Sequence, residues 1–269
     1  MNKKTAERCM LAALIALVIY GLACIYPAAW SPDSKRVVFP VFRKVGGDTV
    51  ITALVMSDLE GKAIRDVASV EPGKAQLGAA SWSPDGRWIA YMKREEIAAA
   101  TAPTASAPGQ KIFLLSLMLQ DAAGGAEKCL LKKQVLENTG GFSKQSMGYG
   151  PAWLADSKTL AVCMDDSLCA FLDLEGKATK EIPLGEKRIP ASALISPDGR
   201  HLVFLTDLDE KAKTGKLWLM EADTAAVKLV DNALVPDGEF LSPLAWSPDS
   251  QSFYYAGVAE RDKKQIALL

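Results

Sequence analysis

The sequence offers few side chains that could perform acid–base or nucleophilic chemistry. Among its 269 residues there is one histidine, His201, so a serine triad would have a single candidate base. His201 begins a strand-like run, where an exposed polar residue is expected, and no Gly-x-Ser-x-Gly nucleophile elbow occurs in the chain. The sequence therefore predicts no catalytic residue, and the chain is not expected to be an enzyme.

Two groups of acidic residues could in principle bind a metal ion. They are Asp165-Asp166 and Asp207-Leu208-Asp209-Glu210. Neighbouring carboxylates can bind calcium or share a proton. Both groups fall in predicted hairpin turns, where acidic residues commonly serve as turn formers, and the chain has no zinc-type spacing and no glycine-rich phosphate loop. We expect no metal site, no cofactor-binding residue and no cofactor.

The five cysteines fit no metal-binding pattern. Cys9 and Cys24 lie in the hydrophobic N-terminal segment, which leaves Cys129, Cys163 and Cys169. Cys163 and Cys169 flank a predicted turn, and if they face each other in a hairpin they could form a disulfide in an oxidising compartment. Two small buried thiols are the alternative, and the sequence leaves both open.

The N-terminal segment predicts export. Lys3, Lys4 and Arg8 precede an uncharged apolar stretch, residues 9–26, which favours a cytoplasmic N-terminus and translocation of the rest. The stretch could remain as a signal anchor or be cleaved after Ala23. It could also be processed to leave Cys24 for lipidation, although a lipobox usually has leucine three residues before the cysteine, where this chain has glycine. We predict a signal peptide or membrane anchor over residues 1–26 and an extracytoplasmic domain over residues 27–269.

The charge distribution argues against nucleic acid as a partner. The 31 basic and 32 acidic side chains are spread evenly and give a net charge of −1. Neutralising phosphates requires a clustered basic face, and only short runs such as Lys132-Lys133 occur.

A repeated turn motif organises the chain from Ala29 onwards. Segments of the pattern Trp-Ser-Pro-Asp-Gly begin at Ala29, Ser81, Ala152, Leu194 and Ala245. The third segment lacks the proline, and in the fourth Ile195 replaces the tryptophan. Serine, proline and glycine suit successive positions of a type I turn, and a strand-like run follows each segment. Each motif therefore predicts a strand, a tight turn and a second strand.

A second repeat places two further strands in each unit. Asp58-Leu59-Glu60-Gly61-Lys62-Ala63 recurs at residues 173–178, and each copy follows an apolar run. A glycine turn there would join a third strand to a fourth, and four strands per repeat is the arrangement of propeller blades. Residues 265–269 would supply only a third strand to the last unit. We predict an all-β propeller of about five four-stranded blades, the last incomplete, after an N-terminal hydrophobic helix; residues 98–109 and 138–150 are predicted loops.

These motifs resemble the WD40-like PD40 repeats of TolB-type propellers, and the resemblance covers the chain from Trp30 to its C-terminus. It implies a periplasmic or outer-face protein that is tethered to the membrane and has a protein partner in the cell envelope. The function expected first is a non-catalytic protein-interaction or scaffolding module. The alternative is a propeller that binds a small ligand or a metal, and could act as an enzyme, with its site in the central channel.

Overall fold

The computed structural model describes residues 28–46, 49–71, 74–97, 112–136, 151–163, 168–183, 192–209, 214–224, 226–234, 245–247 and 249–255. All regular structure in these ranges is β-strand. The N-terminal segment with Cys24, the two predicted loops and the expected last strand at residues 265–269 lie outside them. Within the described ranges no helix is long and apolar enough to span a membrane.

Each repeat forms its own antiparallel sheet, with strands in chain order. The first sheet comprises β1 (Ala29–Trp30), β2 (Arg36–Gly46), β3 (Thr49–Asp58) and β4 (Ala63–Val70). The second comprises β5 (Ala75–Trp82), β6 (Trp88–Ile97), β7 (Ile112–Asp121) and β8 (Lys128–Leu136). The third comprises β9 (Ala152–Trp153), β10 (Leu160–Cys163), β11 (Leu168–Leu172) and β12 (Ala178–Pro183).

The fourth sheet comprises β13 (Ser192–Ile195), β14 (His201–Asp209), β15 (Thr214–Glu221) and β16 (Val227–Leu234). A last pair, β17 (Ala245–Trp246) and β18 (Phe253–Tyr254), completes the described strands. Four-stranded meanders, one in each of the first four repeats, are the blades of a β-propeller, and the predicted fold class is confirmed. One local prediction is wrong: Asp207 and Asp209 belong to β14 and not to a turn, because β14 continues to Asp209.

The chain divides into two compact units. One unit comprises Met1–Gln134 with Met147–Gly150, and the other comprises Val135–Ser146 with Pro151–Leu269. In the first unit, Leu54 and Met56 of β3 pack against Tyr91 and Met118 of the second sheet. In the second unit, Phe171 of β11 packs against the fourth sheet, whose opposite face packs against the last strand pair. Side chains two residues apart share a face of a strand, so each blade can bury apolar residues on both faces.

The serine and aspartate of the motif form a closed hydrogen-bond network in the first, second, fourth and fifth turns. In the second repeat the Ser83 hydroxyl donates to Asp85 Oδ1 over 2.5 Å and accepts from the Trp88 amide over 2.8 Å. The Asp85 carboxylate also accepts from the Arg87 amide. The same network recurs at Ser31, Ser196 and Ser247. The motif therefore stabilises its own turn, and its aspartate carboxylates already accept hydrogen bonds within that turn.

The last residue of the Trp-Ser-Pro-Asp-Gly motif has a left-handed backbone conformation in all five repeats. Its φ is 58° at Ser34, 72° at Gly86, 57° at Ser157, 72° at Gly199 and 61° at Ser250. Glycine adopts this conformation without steric cost, whereas a serine is strained there. The backbone therefore explains the glycines, whereas the three serines adopt this conformation at an energetic cost.

The third repeat compensates for its departures from the motif. Leu154 occupies the serine position, and the Thr159 hydroxyl takes over by donating to Asp156 Oδ2 over 2.6 Å. Ala155 occupies the proline position and keeps an amide hydrogen, which donates to the Pro197 carbonyl of the next blade over 2.8 Å. Proline could not make this bond, so its loss from the motif creates a contact between blades.

We expect the turns to make the fold sensitive to acid. Hydrogen bonds from Ser31, Ser83 and Ser247 lower the pKa of Asp33, Asp85 and Asp249 below the ordinary value of 3.8. A carboxyl whose folded pKa is depressed stabilises the fold above its unfolded pKa and loses that contribution as the pH falls through the folded value. The free energy of unfolding, measured in urea at pH 7, 5, 4 and 3, should fall below about pH 4, and less steeply for Asp85→Asn. An identical slope in wild type and variant would contradict this origin.

Candidate functional site

Charged and polar side chains gather in the half of β6 that is remote from the Ser83-Pro84-Asp85-Gly86 turn. The strand begins with the apolar run Trp88-Ile89-Ala90-Tyr91-Met92 and continues with Lys93, Arg94, Glu95 and Glu96. β7 pairs with β6 along its whole length and is almost entirely apolar, with Ser116 as an exception. The pairing register therefore brings a polar β7 residue to the charged half of β6.

Ser116, Lys93 and Glu95 form what we call the Ser116 site. Lys93 and Glu95 lie two residues apart on one face of β6, and the Lys93 ammonium is 3.0 Å from Glu95 Oε1. Their side chains are 22% and 33% exposed. Ser116 is directly opposite Lys93 in the register and is 1% exposed. Its hydroxyl oxygen is buried and has no hydrogen-bond partner among the described residues.

A buried hydroxyl without a partner needs an explanation. Leaving a buried polar group unsatisfied costs about 1–3 kcal/mol, and most such groups in folded proteins are paired. In contrast, the buried Ser57 hydroxyl in β3 donates to the carbonyls of Asp58 and Lys62. Ser57 stabilises a turn, whereas Ser116 has no such structural role in the described part of the chain.

Arg94 lies on the opposite face of β6 from the Ser116 site. It is 6% exposed, and its guanidinium carbon is 3.5 Å from the centre of the Phe113 ring. This cation–π contact offsets part of the cost of burying a charge. In the first blade the position equivalent to Arg94 is occupied by Phe42, which is 43% exposed. The repeat therefore does not require arginine at this position.

The Ser116 site fits binding better than nucleophilic catalysis. A serine beside a lysine can act as a nucleophile and a base, but the lysine must then be free to accept a proton. Lys93 instead forms an ion pair with Glu95, and Ser116 is closed to solvent. The ammonium can donate hydrogen bonds, the carboxylate can accept them, and the hydroxyl can do both. This combination suits a small polar molecule.

Replacing Ser116 by alanine should not destabilise the ligand-free protein, because the substitution removes an unpaired buried group. Ser57→Ala is the matched control and should lower the free energy of unfolding by about 1 kcal/mol, since it breaks hydrogen bonds that the protein makes. Urea denaturation of the full-length protein measures both. If Ser116→Ala costs as much as Ser57→Ala, the Ser116 hydroxyl has a structural partner and the site loses its basis.

His201 contributes to packing between blades and is not an exposed strand residue as expected. Its partly buried ring stacks on Trp246 of the following strand pair, with centroids 6.0 Å apart and an interplanar angle of 30°. Its Nδ1 is buried and has no hydrogen-bond partner among the described residues. Arg36 occupies the same place after its motif and lies over Trp82, 4.9 Å from the ring centroid. Arg36 and His201 both lie five residues after the serine of their motif. This shared spacing is the signal in the sequence that could have placed His201 against a tryptophan of the next blade.

The motif tryptophans join consecutive blades by a recurring hydrogen bond. Trp82 Nε1 donates to the Ala29 carbonyl over 3.1 Å, and Trp246 Nε1 donates to the Leu194 carbonyl over the same distance. Both carbonyls belong to the residue before the tryptophan position of the preceding blade. Ile195 has no donor, so the fourth blade cannot make this bond.

The cysteines and acids predicted as candidates do not form a metal site within the described residues. Cys163 is directly opposite Cys169 in the register, and Cys169 is buried and disulfide-bonded. The sequence left a disulfide between Cys163 and Cys169 and a pair of buried thiols open, and the register places the two backbone positions opposite each other. Asp165 and Asp166, like Cys24, lie outside the described residues. Nowhere in the described ranges do three or more His, Cys, Asp or Glu side chains lie close enough to hold a metal ion.

Comparison with known proteins gives structural matches only. No family model and no curated protein sequence matches the chain. Hydrazine synthase of Kuenenia stuttgartiensis is 18% identical, with a TM-score of 0.46 over 84% of this chain and 53% of its own. A proposed 6-phosphogluconolactonase of Bacteroides uniformis is 13% identical, with a TM-score of 0.48 over 88% of this chain and 65% of its own. Periplasmic gluconolactonase of Pseudomonas aeruginosa is 11% identical, with a TM-score of 0.46 over 84% of this chain and 63% of its own.

These solved proteins are propellers, the fold that the four-stranded meanders described above indicate. The chain has a β-propeller fold. It spans between 53% and 65% of the length of these proteins, and the likeness concerns the fold. The TolB-type class of the repeats receives no match.

The comparisons correct two expectations. The chain was expected to be a non-catalytic interaction or scaffolding module and not an enzyme. The propellers that it resembles bear the names of enzymes, a synthase and two lactonases. A propeller fold hosts many functions, so the missing triad does not by itself exclude catalysis.

Proposed function

We propose that the chain is a propeller that binds a small polar molecule, with Ser116, Lys93 and Glu95 forming part of the binding site. The observation that carries the proposal is the buried Ser116 hydroxyl, unpaired among the described residues, directly opposite a partly exposed lysine–glutamate ion pair. A ligand that bonds the hydroxyl would remove the cost of leaving it unsatisfied.

The aspartates of the motif turns are excluded as alternative ligand contacts, which favours the Ser116 site. Asp33, Asp85, Asp198 and Asp249 each accept a serine hydroxyl and a backbone amide inside their own turns. They are therefore poor candidates for ligand contacts. The Lys93–Glu95 pair is exposed enough to exchange its mutual contact for contacts with a ligand.

The chemistry of the site favours a hydroxylated ligand. Hydroxyl groups donate to a carboxylate and accept from an ammonium, so neighbouring hydroxyls of one molecule could engage Glu95 and Lys93 together. A carboxylate on the same molecule would strengthen the contact with Lys93. Neutral sugars and sugar acids are thus the ligand classes to test first.

The proposed ligand site is tested by thermal unfolding of the full-length protein with glucose, ribose, gluconate and glucuronate. A ligand present at 100 times its Kd should stabilise wild type by about 2.7 kcal/mol. Lys93→Met and Glu95→Gln should remove the shift. Lys158→Met, which removes an exposed lysine from the third repeat's turn, should keep it. No shift with any probe, or an equal shift in Lys93→Met, would contradict the proposal.

We also propose that the repeats are of the TolB type and that the domain lies outside the cytoplasm, tethered by residues 1–26. The Trp-Ser-Pro-Asp motifs and the positively charged start of the apolar segment support this. Protease treatment of intact spheroplasts should digest a C-terminal tag, and protection of the tag until lysis would contradict export. A protein partner in the envelope, without nucleic acid, stays a prediction that crosslinking in cells can test.

A further inference from the structure

Two complementary polar atoms lie unpaired between the first and second blades. Arg65 Nε is a buried donor and Gln120 Oε1 is a buried acceptor, and neither has a hydrogen-bond partner among the described residues. Arg65 is on β4, the last strand of the first blade, and Gln120 is on β7 of the second blade and is 7% exposed. Both belong to the same compact unit.

The remaining contacts place both groups at the same end of β7. Arg65 Nη2 donates to the carbonyls of Asp121 and Ala122 over 3.0 and 3.3 Å, and these residues directly follow Gln120. The Gln120 side-chain amide donates to the Gly125 carbonyl over 2.9 Å, which fixes Oε1 on the other side of the amide. Arg65 pairs with Met56 in the register and Gln120 with Ile89, and Met56 and Ile89 share the core cluster between the two blades.

The equivalent contact in the second unit explains why Arg65 Nε lacks a partner among the described residues. Lys180 has the place of Arg65 after the second copy of the Asp-Leu-Glu-Gly-Lys repeat, and its ammonium bonds the carboxylate of Asp223 in the next blade. The corresponding position in the second blade is Ala123, which offers no carboxylate. Arg65 Nη2 therefore donates to backbone carbonyls, and the guanidinium has no carboxylate at the place where Lys180 contacts Asp223.

We propose that one buried water molecule bridges Arg65 Nε and Gln120 Oε1 and is part of the contact between the first two blades. Water accepts one hydrogen bond from the guanidinium and donates one to the amide oxygen, and its second hydrogen remains for a backbone carbonyl. Buried waters typically make about three such bonds to groups that are otherwise unsatisfied. This site is independent of the Ser116 site, since it uses other side chains and a different end of β7.

A high-resolution crystal structure of the full-length protein tests the proposal. We expect one solvent peak within hydrogen-bonding distance of both Arg65 Nε and Gln120 Oε1, and none bridging Lys180 and Asp223. Gln120→Met should lose this peak and keep the bonds from Arg65 to the Asp121 and Ala122 carbonyls. A direct bond between Arg65 Nε and Gln120 Oε1, a peak that contacts only one of them, or no peak in wild type would overturn it. A peak that persists unchanged in Gln120→Met would overturn it as well.

Discussion

Gly199→Ala should lower the free energy of unfolding by about 2–4 kcal/mol, and Gly86→Ala by about 1–2 kcal/mol. Both glycines end a Ser-Pro-Asp-Gly turn with φ of 72°, so an added Cβ strains the backbone equally. At Gly199 that Cβ would also lie 2.9 Å from Leu154 Cδ1 and 3.1 Å from Leu154 Cδ2. At Gly86 its nearest neighbour would be Pro32 Cδ at 3.7 Å, an ordinary contact. Urea denaturation of the two variants separates strain from crowding.

The crowding has a specific source that a double variant can check. Leu154 takes the place of the motif serine in the third blade and packs against the turn of the fourth. Shortening it in Leu154→Ala/Gly199→Ala should make the glycine substitution about as costly as Gly86→Ala. Equal costs for the two single variants would contradict a close approach of the third and fourth blades at this turn.

Trp82→Ala should be among the most destabilising substitutions, at about 3–5 kcal/mol. Trp82 is 7% exposed, packs in the core between the first two blades and donates to the Ala29 carbonyl. Trp82→Phe keeps most of the apolar surface and loses the hydrogen bond, so about 1 kcal/mol is expected for that change. Thermal and urea unfolding of the full-length protein measure both.

Trp30 provides the matched control for Trp82. It occupies the same motif position in the first blade but is 38% exposed. Because less of its surface leaves water on folding, Trp30→Ala should cost clearly less than Trp82→Ala. If the two alanine variants lower the free energy of unfolding equally, the contact of Trp82 with the first blade is not the source of its stabilising effect.

The fold could be predicted from the sequence because the repeats carry local information. Serine, aspartate and a left-handed Gly or Ser define each turn within a few residues, and the Asp-Leu-Glu-Gly-Lys copies define the next turn in the same way. The exchange of hydrogen-bond donors in the third repeat was not predictable. Thr159 replaces the serine hydroxyl from outside the motif, and the pattern alone shows only that the serine and the proline are missing.

The candidate site could not be predicted because it depends on the pairing register. Ser116 can be assigned to a site only once the structure shows it opposite Lys93. The repeated motifs do not fix the length of the connection between β6 and β7, so they do not predict this pairing. An apolar strand containing one serine is ordinary in a sequence, and so is a lysine two residues before a glutamate. His201 was misjudged for a related reason, since its role depends on Trp246 of another blade.

Native mass spectrometry of the full-length protein, purified from its own cells without added ligand, tests most directly whether the Ser116 site binds a small polar molecule. We expect one small-molecule adduct on wild type and on Lys158→Met, and its loss from Lys93→Met. An adduct of the same mass and occupancy on Lys93→Met, or wild type that carries none, would contradict it.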